Sequence, residues 1–199
     1  IFVNRKIEKM LYILLPVTLV TILLRTEIVR LLFGSGRFNW TDTITTADTL
    51  GLFALSFISE SIQPIITRTF YAYKNTRDPL LLSLYSIVIN IIGSVILVFV
   101  FHGSVIMLGL SFSIASIFEL CMQIYRLAKK HNLPLWQYAN WTFITKTIIA
   151  TVITTIVAQA SKFTSALIFD PLDSVLKVAG KISFVLIFAT ATYLISQYL

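Results

Sequence analysis

Six runs of about twenty mainly apolar residues constrain this chain more than any other feature. They cover residues 10–33, 47–70, 80–101, 104–127, 140–160 and 175–197. Runs of that length match the hydrocarbon thickness of a bilayer when helical. They are too long for the ten-residue alternating strands of a membrane barrel, and lipid admits no other spanning structure. The expected fold class is therefore all-α, a polytopic integral membrane bundle of six transmembrane helices. Composition agrees, with 57% of the 199 residues hydrophobic and 13% charged. A soluble domain carries roughly a quarter charged residues. The net charge of +7 suits anionic lipid headgroups, and nucleic acid is not an expected partner. The single cysteine, Cys121, supports neither a disulfide framework nor a cysteine metal cluster. The chain opens at Ile1 and is read as a piece of a longer polypeptide.

Arg68 to Pro79 is a short charged segment between two apolar runs. Asn75, Asp78 and Pro79 are turn formers, and Pro79 disfavours helix at Asp78. Arg68, Lys74 and Arg77 gather three cations, which favours the cytoplasmic face. The same set of loops carries Arg5, Lys6, Lys9, Arg126, Lys129 and Lys130. The opposite set has Arg25, Arg30, Arg37, Lys162, Lys177 and Lys181, so both ends are expected to be cytoplasmic. Trp136, Tyr138 and Trp141, with Tyr193 and Tyr198, are expected at interfacial belts.

Polar residues recur on one face of several spans. In the first, Thr18, Thr21 and Arg25 align, with a kink expected at Pro16. Arg25 either snorkels to the outer interface or faces a cavity and holds an anion. The second span aligns Ser56, Glu60, Gln63 and Thr67, with Pro64 loosening the ladder. A carboxylate at that depth costs about 2.5–3.5 kcal/mol, so Glu60 is a cavity or proton-relay candidate, or a structural group bonded to a neighbouring helix. The third span offers Asn90 beside Gly93 as packing glue or a cavity group. In the fourth, Glu119 shares a face with Ser113, Ser116 and Gln123; an ion pair with Arg126 is the plainer alternative to a cavity role. The fifth is threonine-rich, its hydroxyls expected to bond back to the helix, and Lys146 either snorkels or lines a groove. In the sixth, Asp173, Lys177 and Lys181 make a polar opening face. His102 and His131 fall in loops at opposite faces, and Gly34-Ser35-Gly36 lacks the surroundings of a nucleotide loop. No enzymatic constellation is present; polar stripes on neighbouring helices suit a transporter lining.

Leu32-Phe33-Gly34-Ser35-Gly36-Arg37-Phe38 with Asp42-Thr43 resembles a segment of the MurJ/MviN lipid II flippases. Arg68, Phe70-Tyr71-Ala72, Thr76-Arg77 and Pro79 resemble the turn that follows it in that family. Asn90 falls eleven residues after Pro79, as the family's asparagine does, and Gly109-Leu110-Ser111 resembles its next step. The likeness covers about residues 10–130. Asn75 stands where the family has aspartate, and Pro64 where many members have lysine.

The resemblance implies a fourteen-helix transporter with two six-helix lobes and two extra C-terminal helices. Residues 1–130 would be four helices of the second lobe, and 131–199 the extra pair bordering a groove for the lipid tail. The implied activity is translocation of lipid II, an undecaprenyl-pyrophosphate-linked sugar precursor, across the inner membrane by alternating access. That places it in peptidoglycan biosynthesis, cell wall biogenesis and cell shape. No cofactor is expected; coupling is to the membrane potential or an ion. Implied partners are membrane lipid, the precursor and an N-terminal lobe of the same polypeptide. The cavity candidates are Arg25, Glu60, Gln63, Asn90, Glu119 and Lys146; the gate or turn candidates are Arg68, Tyr71, Lys74, Thr76, Arg77 and Pro79. A polysaccharide, O-antigen or drug exporter of the same superfamily, and a non-transporting scaffold, are the alternative functions.

Overall fold

A computed structural model describes residues 2–33, 39–100, 104–131 and 141–168, together with 180, 182–187, 189–191 and 193. The elements are α1 (Phe2–Leu23), α2 (Arg25–Phe33), α3 (Trp40–Ala54), α4 (Phe57–Ala72), α5 (Arg77–Val95), a five-residue π-helix (Ile96–Val100), α6 (Ile106–His131) and α7 (Trp141–Ile168). The described residues contain no strand. The class is all-α, but the count of six spans is not reached among them. Four helices are long and apolar enough to cross a membrane, or five if α1 and α2 make one bent span. The sixth expected run lies mostly outside the described residues, apart from a shorter apolar helix at Ile182–Ala191.

Several boundaries differ from the sequence reading. The first span breaks at Leu24, where its halves meet at 70°, while Pro16 lies inside α1. The second span runs Trp40–Ala72 and breaks at Leu55–Ser56, with Pro64 retained inside α4. Carbonyls beside that break are covered by hydroxyls: Ser56 donates to Phe53 at 2.7 Å and Ser113 to Leu52 at 2.6 Å. The third span begins at Arg77, so Asp78 is helical despite Pro79. A proline in a first turn forfeits no ladder bond, because those amide hydrogens have no intrahelical acceptor. Asn75 serves the first turn instead, accepting from the Asp78 amide at 3.4 Å and donating its own amide hydrogen to the Asp78 carboxylate. Arg126, Lys129 and Lys130 lie on α6, and Lys162 on α7, rather than in loops.

The chain falls into two compact units, residues 1–14 with 52–141, and 15–51 with 142–199. The first has a core of Ile62, Ile66, Phe70 and Leu127, flanked by Ile7, Leu11, Ile58, Leu120 and Ile124. Serines join its helices: Ser86 donates to the Ala115 carbonyl at 3.0 Å and Ser111 to that of Asn90 at 2.9 Å. Small hydroxyls allow close approach and remove polar backbone from lipid. The second unit is built on Val20, Leu24, Ala158, Ile182, Val185 and Ala189. Buried Thr147, Thr151 and Thr154 bond back to carbonyls four residues earlier on α7, as expected. Leu84, Ile87, Val88, Ile91 and Ile92 stay exposed along α5, an outer face suited to lipid. Tyr193 is buried in the second unit. Trp136, Tyr138 and Tyr198, the opening face with Asp173, Lys177 and Lys181, and the Gly34–Gly36 and His102 loops lie outside the described residues.

Candidate functional site

The first unit carries a groove of about 360 Å³. Glu60, Gln63, Pro64, Thr67, Arg68 and Tyr71 of α4 line it at helical spacing, facing Ser83 of α5 and Glu119 of α6. The sequence places these groups on one stripe because α4 spends its other face, Ile62, Ile66 and Phe70, on the core.

Ser116 is the joint between α4 and α6. Its hydroxyl donates to Glu60 Oε1 at 2.6 Å and lies 2.8 Å from the Ser59 hydroxyl. The Gln63 amide donates to the Ser116 carbonyl at 3.1 Å and to its hydroxyl at 3.3 Å. Glu119, 9% exposed, accepts from Ser83 at 2.6 Å and from Gln123 at 2.9 Å. Each carboxylate is thus held by neutral donors, and among the described residues neither forms an ion pair. Arg68 and Tyr71 are exposed on the same wall. Such a lining offers bonded acceptors and one exposed guanidinium, which suits reversible binding of a polar group.

Of the cavity candidates, the structure brings Glu60, Gln63 and Glu119 together, with the gate candidates Arg68 and Tyr71. The expected alternative for Glu119 is corrected, because Arg126 lies 3.6 Å from Asp78 instead. Asp78 also meets Lys130 at 2.8 Å, tying the start of α5 to the end of α6. Asn90 is half-buried; its carbonyl receives Ser111 and its side chain receives Ser94 at 3.4 Å. Arg25 belongs to the second unit and pairs with Asp48 at 2.9 Å. Lys146 is exposed on α7, in that same unit. In the turn, Lys74 takes φ 55°, Thr76 precedes α5 without a side-chain cap, Arg77 is exposed and Pro79 is buried. Arg68 and Arg77 form no ion pair among the described residues.

Ser83, Thr67 and Ser116 belong to the site although they are not among the expected site residues. Their signal is the serine and threonine stripe at helical spacing on α4, α5 and α6. Among the described residues no three His, Cys, Asp or Glu side chains gather to hold a metal.

A family model described as lipid II flippase MurJ matches residues 3–177. A probable lipid II flippase MurJ of Rickettsia prowazekii (strain Madrid E) is 36% identical over 87 residues, covering 44% of this chain and 17% of that protein. A second, from Buchnera aphidicola subsp. Acyrthosiphon pisum, is 28% identical over 143 residues, covering 72% of this chain and 27% of that protein. A third, from Thermotoga maritima, is 32% identical over 107 residues, covering 54% and 23%. The chain therefore spans about a quarter or less of these relatives. A solved lipid II flippase MurJ in an inward closed conformation shares the fold, with a TM-score of 0.77 at 22% identity over 98% of this chain and 37% of that one.

Proposed function

This chain belongs to the lipid II flippase MurJ family, and on that premise we propose that it is a portion of a membrane transporter for a lipid-linked peptidoglycan precursor. The observation that carries the reading is the family match over residues 3–177. A polar groove set into an apolar helix bundle supports it, since a flippase must pass a hydrophilic headgroup through hydrocarbon. The precursor moves from the inner to the outer leaflet by alternating access, with no bond made or broken. The reading includes a bacterial inner-membrane location with both ends cytoplasmic. It also includes residues 1–130 as second-lobe helices, and 131–199 as an appended pair. Glu60, Gln63 and Glu119 line the path, and Arg68 and Arg77 draw anionic headgroups to its entrance. An N-terminal lobe of the same polypeptide completes the cavity, and the membrane potential or an ion gradient supplies the energy.

The test is depletion of the full-length protein followed by analysis of lipid-linked sugars in the cytoplasmic leaflet. Accumulation of the undecaprenyl-pyrophosphate peptidoglycan precursor is expected. Accumulation of an O-antigen or other polysaccharide intermediate, with the peptidoglycan precursor unchanged, overturns the substrate.

A further inference from the structure

The 70° break between Lys6–Leu23 and Arg25–Phe33 has one local contribution in the sequence, the Thr21 hydroxyl donating back to the Val17 carbonyl at 2.8 Å one turn before it. Sharp bends arise at proline, at glycine or serine pairs, at π-bulges, or where a side chain enters the backbone ladder. The nearest proline, Pro16, lies two turns upstream inside α1, and Leu23-Leu24-Arg25-Thr26-Glu27 holds no glycine or serine. At the break Leu24 keeps a bond to each side, its N–H donating to Val20 and its carbonyl accepting from the Ile28 N–H.

The remaining cause is a side chain, and it comes from α7. Lys162 Nζ donates to the Leu23 carbonyl at 2.7 Å across 139 residues of sequence. In an unbroken helix that carbonyl accepts from the Glu27 amide. The same ammonium lies 3.2 Å from Glu27 Oε1, both side chains being largely buried. The ammonium at the last turn of α1 and the carboxylate in the first turn of α2 each sit at the helix end that favours its charge. Beyond the break, Arg25 holds α2 to Asp48, its guanidinium lying where a Cβ at Gly51 would stand 2.9 Å from Nη1.

We infer that Lys162 is a conformational latch: α7 holds the first span bent, and withdrawing its ammonium lets Lys6–Phe33 close into one continuous helix. The device is a two-state element biased from a distant part of the chain. It makes the position of α7 and the shape of the first span a single variable.

The test uses the full-length protein in lipid nanodiscs, in a Cys121→Ser background with any other native cysteines replaced. Spin labels are placed at Val17→Cys and Leu32→Cys, which are 48% and 66% exposed. Straightening lengthens their backbone separation by about 4 Å at a rise of 1.5 Å per residue. Lys162→Met is expected to give that longer distance. The swap Glu27→Lys with Lys162→Glu restores an ion pair but removes the α7 ammonium from the Leu23 carbonyl. It keeps the charge balance, so it reports even where Lys162→Met fails to fold, and the longer distance is expected again. An unchanged distance in either variant overturns the latch: in Lys162→Met because the bend stands without the ammonium, in the swap because the ion pair alone suffices.

Discussion

Lys74 shows how a single backbone conformation closes one element and opens the next. With φ 55° it sits in the left-handed region, one residue past the Tyr73 cap of α4. The Asn75 amide donates to the Phe70 carbonyl at 3.0 Å and the Lys74 amide to Tyr71 at 2.9 Å, the paired bonds of a Schellman stop. Glycine normally fills that place, and a side chain there costs about 1 kcal/mol. Lys74→Gly is therefore expected to raise stability by about 0.5–1 kcal/mol, read as a higher denaturation midpoint in detergent; a lower midpoint would show that the lysine side chain matters more than its backbone. Glu60 gives the functional counterpart. Glu60→Gln keeps an acceptor for Ser116, so the full-length variant should insert at normal levels yet lose most of its flipping. Glu60→Leu should instead loosen α4 from α6 by about 1–2 kcal/mol, through the Ser116 hydroxyl that loses its acceptor. Unchanged flipping in Glu60→Gln, measured in proteoliposomes, removes any role for the charge. The spacing of Glu60, Gln63 and Thr67 made this wall legible in the sequence. The partner of Arg126 was not legible, since Glu119 is seven residues away, or two turns of rise, whereas Asp78 lies beside it in space.

At the scale of elements, α5 and α6 are matched where Gly93 faces Ser111. A Cβ on Gly93 would come within 2.6 Å of the Ser111 hydroxyl, which is buried and bonded to the Asn90 carbonyl. Gly93→Ala gains about 1 kcal/mol of helix propensity but displaces that hydroxyl, at a cost of about 1–3 kcal/mol. The net expectation is a loss of about 1 kcal/mol, reversed when Ser111→Ala is already present. Equal effects in both backgrounds, by thermal unfolding, would rule out the contact as the reason for glycine. Apolar runs and polar stripes announced the helices themselves. Their interruptions were hidden for a physical reason: prolines 16 and 64 are carried inside helices, while the breaks at Leu24 and Leu55–Ser56 have carbonyls covered from other helices, by Lys162 and by Ser113. Nothing in Ile96–Val100 marks it for a π-helix, and the structure offers no account of why it forms.

For the whole molecule, two units with separate cores and largely apolar outer faces describe a protein whose solvent is lipid. The cation bias predicts that cysteines introduced at Lys74 and Lys129 in a Cys121→Ser background stay unlabelled by an impermeant thiol reagent in intact cells, while one at Arg37 reacts. Labelling at 74 from outside would invert the orientation. The span Trp40–Ala72 carries a consequence of its own. Its 33 residues reach about 50 Å, against roughly 30 Å of hydrocarbon. Its opening turns are the ones least at home in oil, with Trp40, Thr41 and Asp42 exposed. A thicker bilayer must draw Thr41, Thr45 and Thr46 toward the acyl chains, and a thinner one must tilt the rod or bend it at Leu55–Ser56. Acyl-chain length in the surrounding membrane thereby becomes a mechanical input to the same helix that carries Glu60.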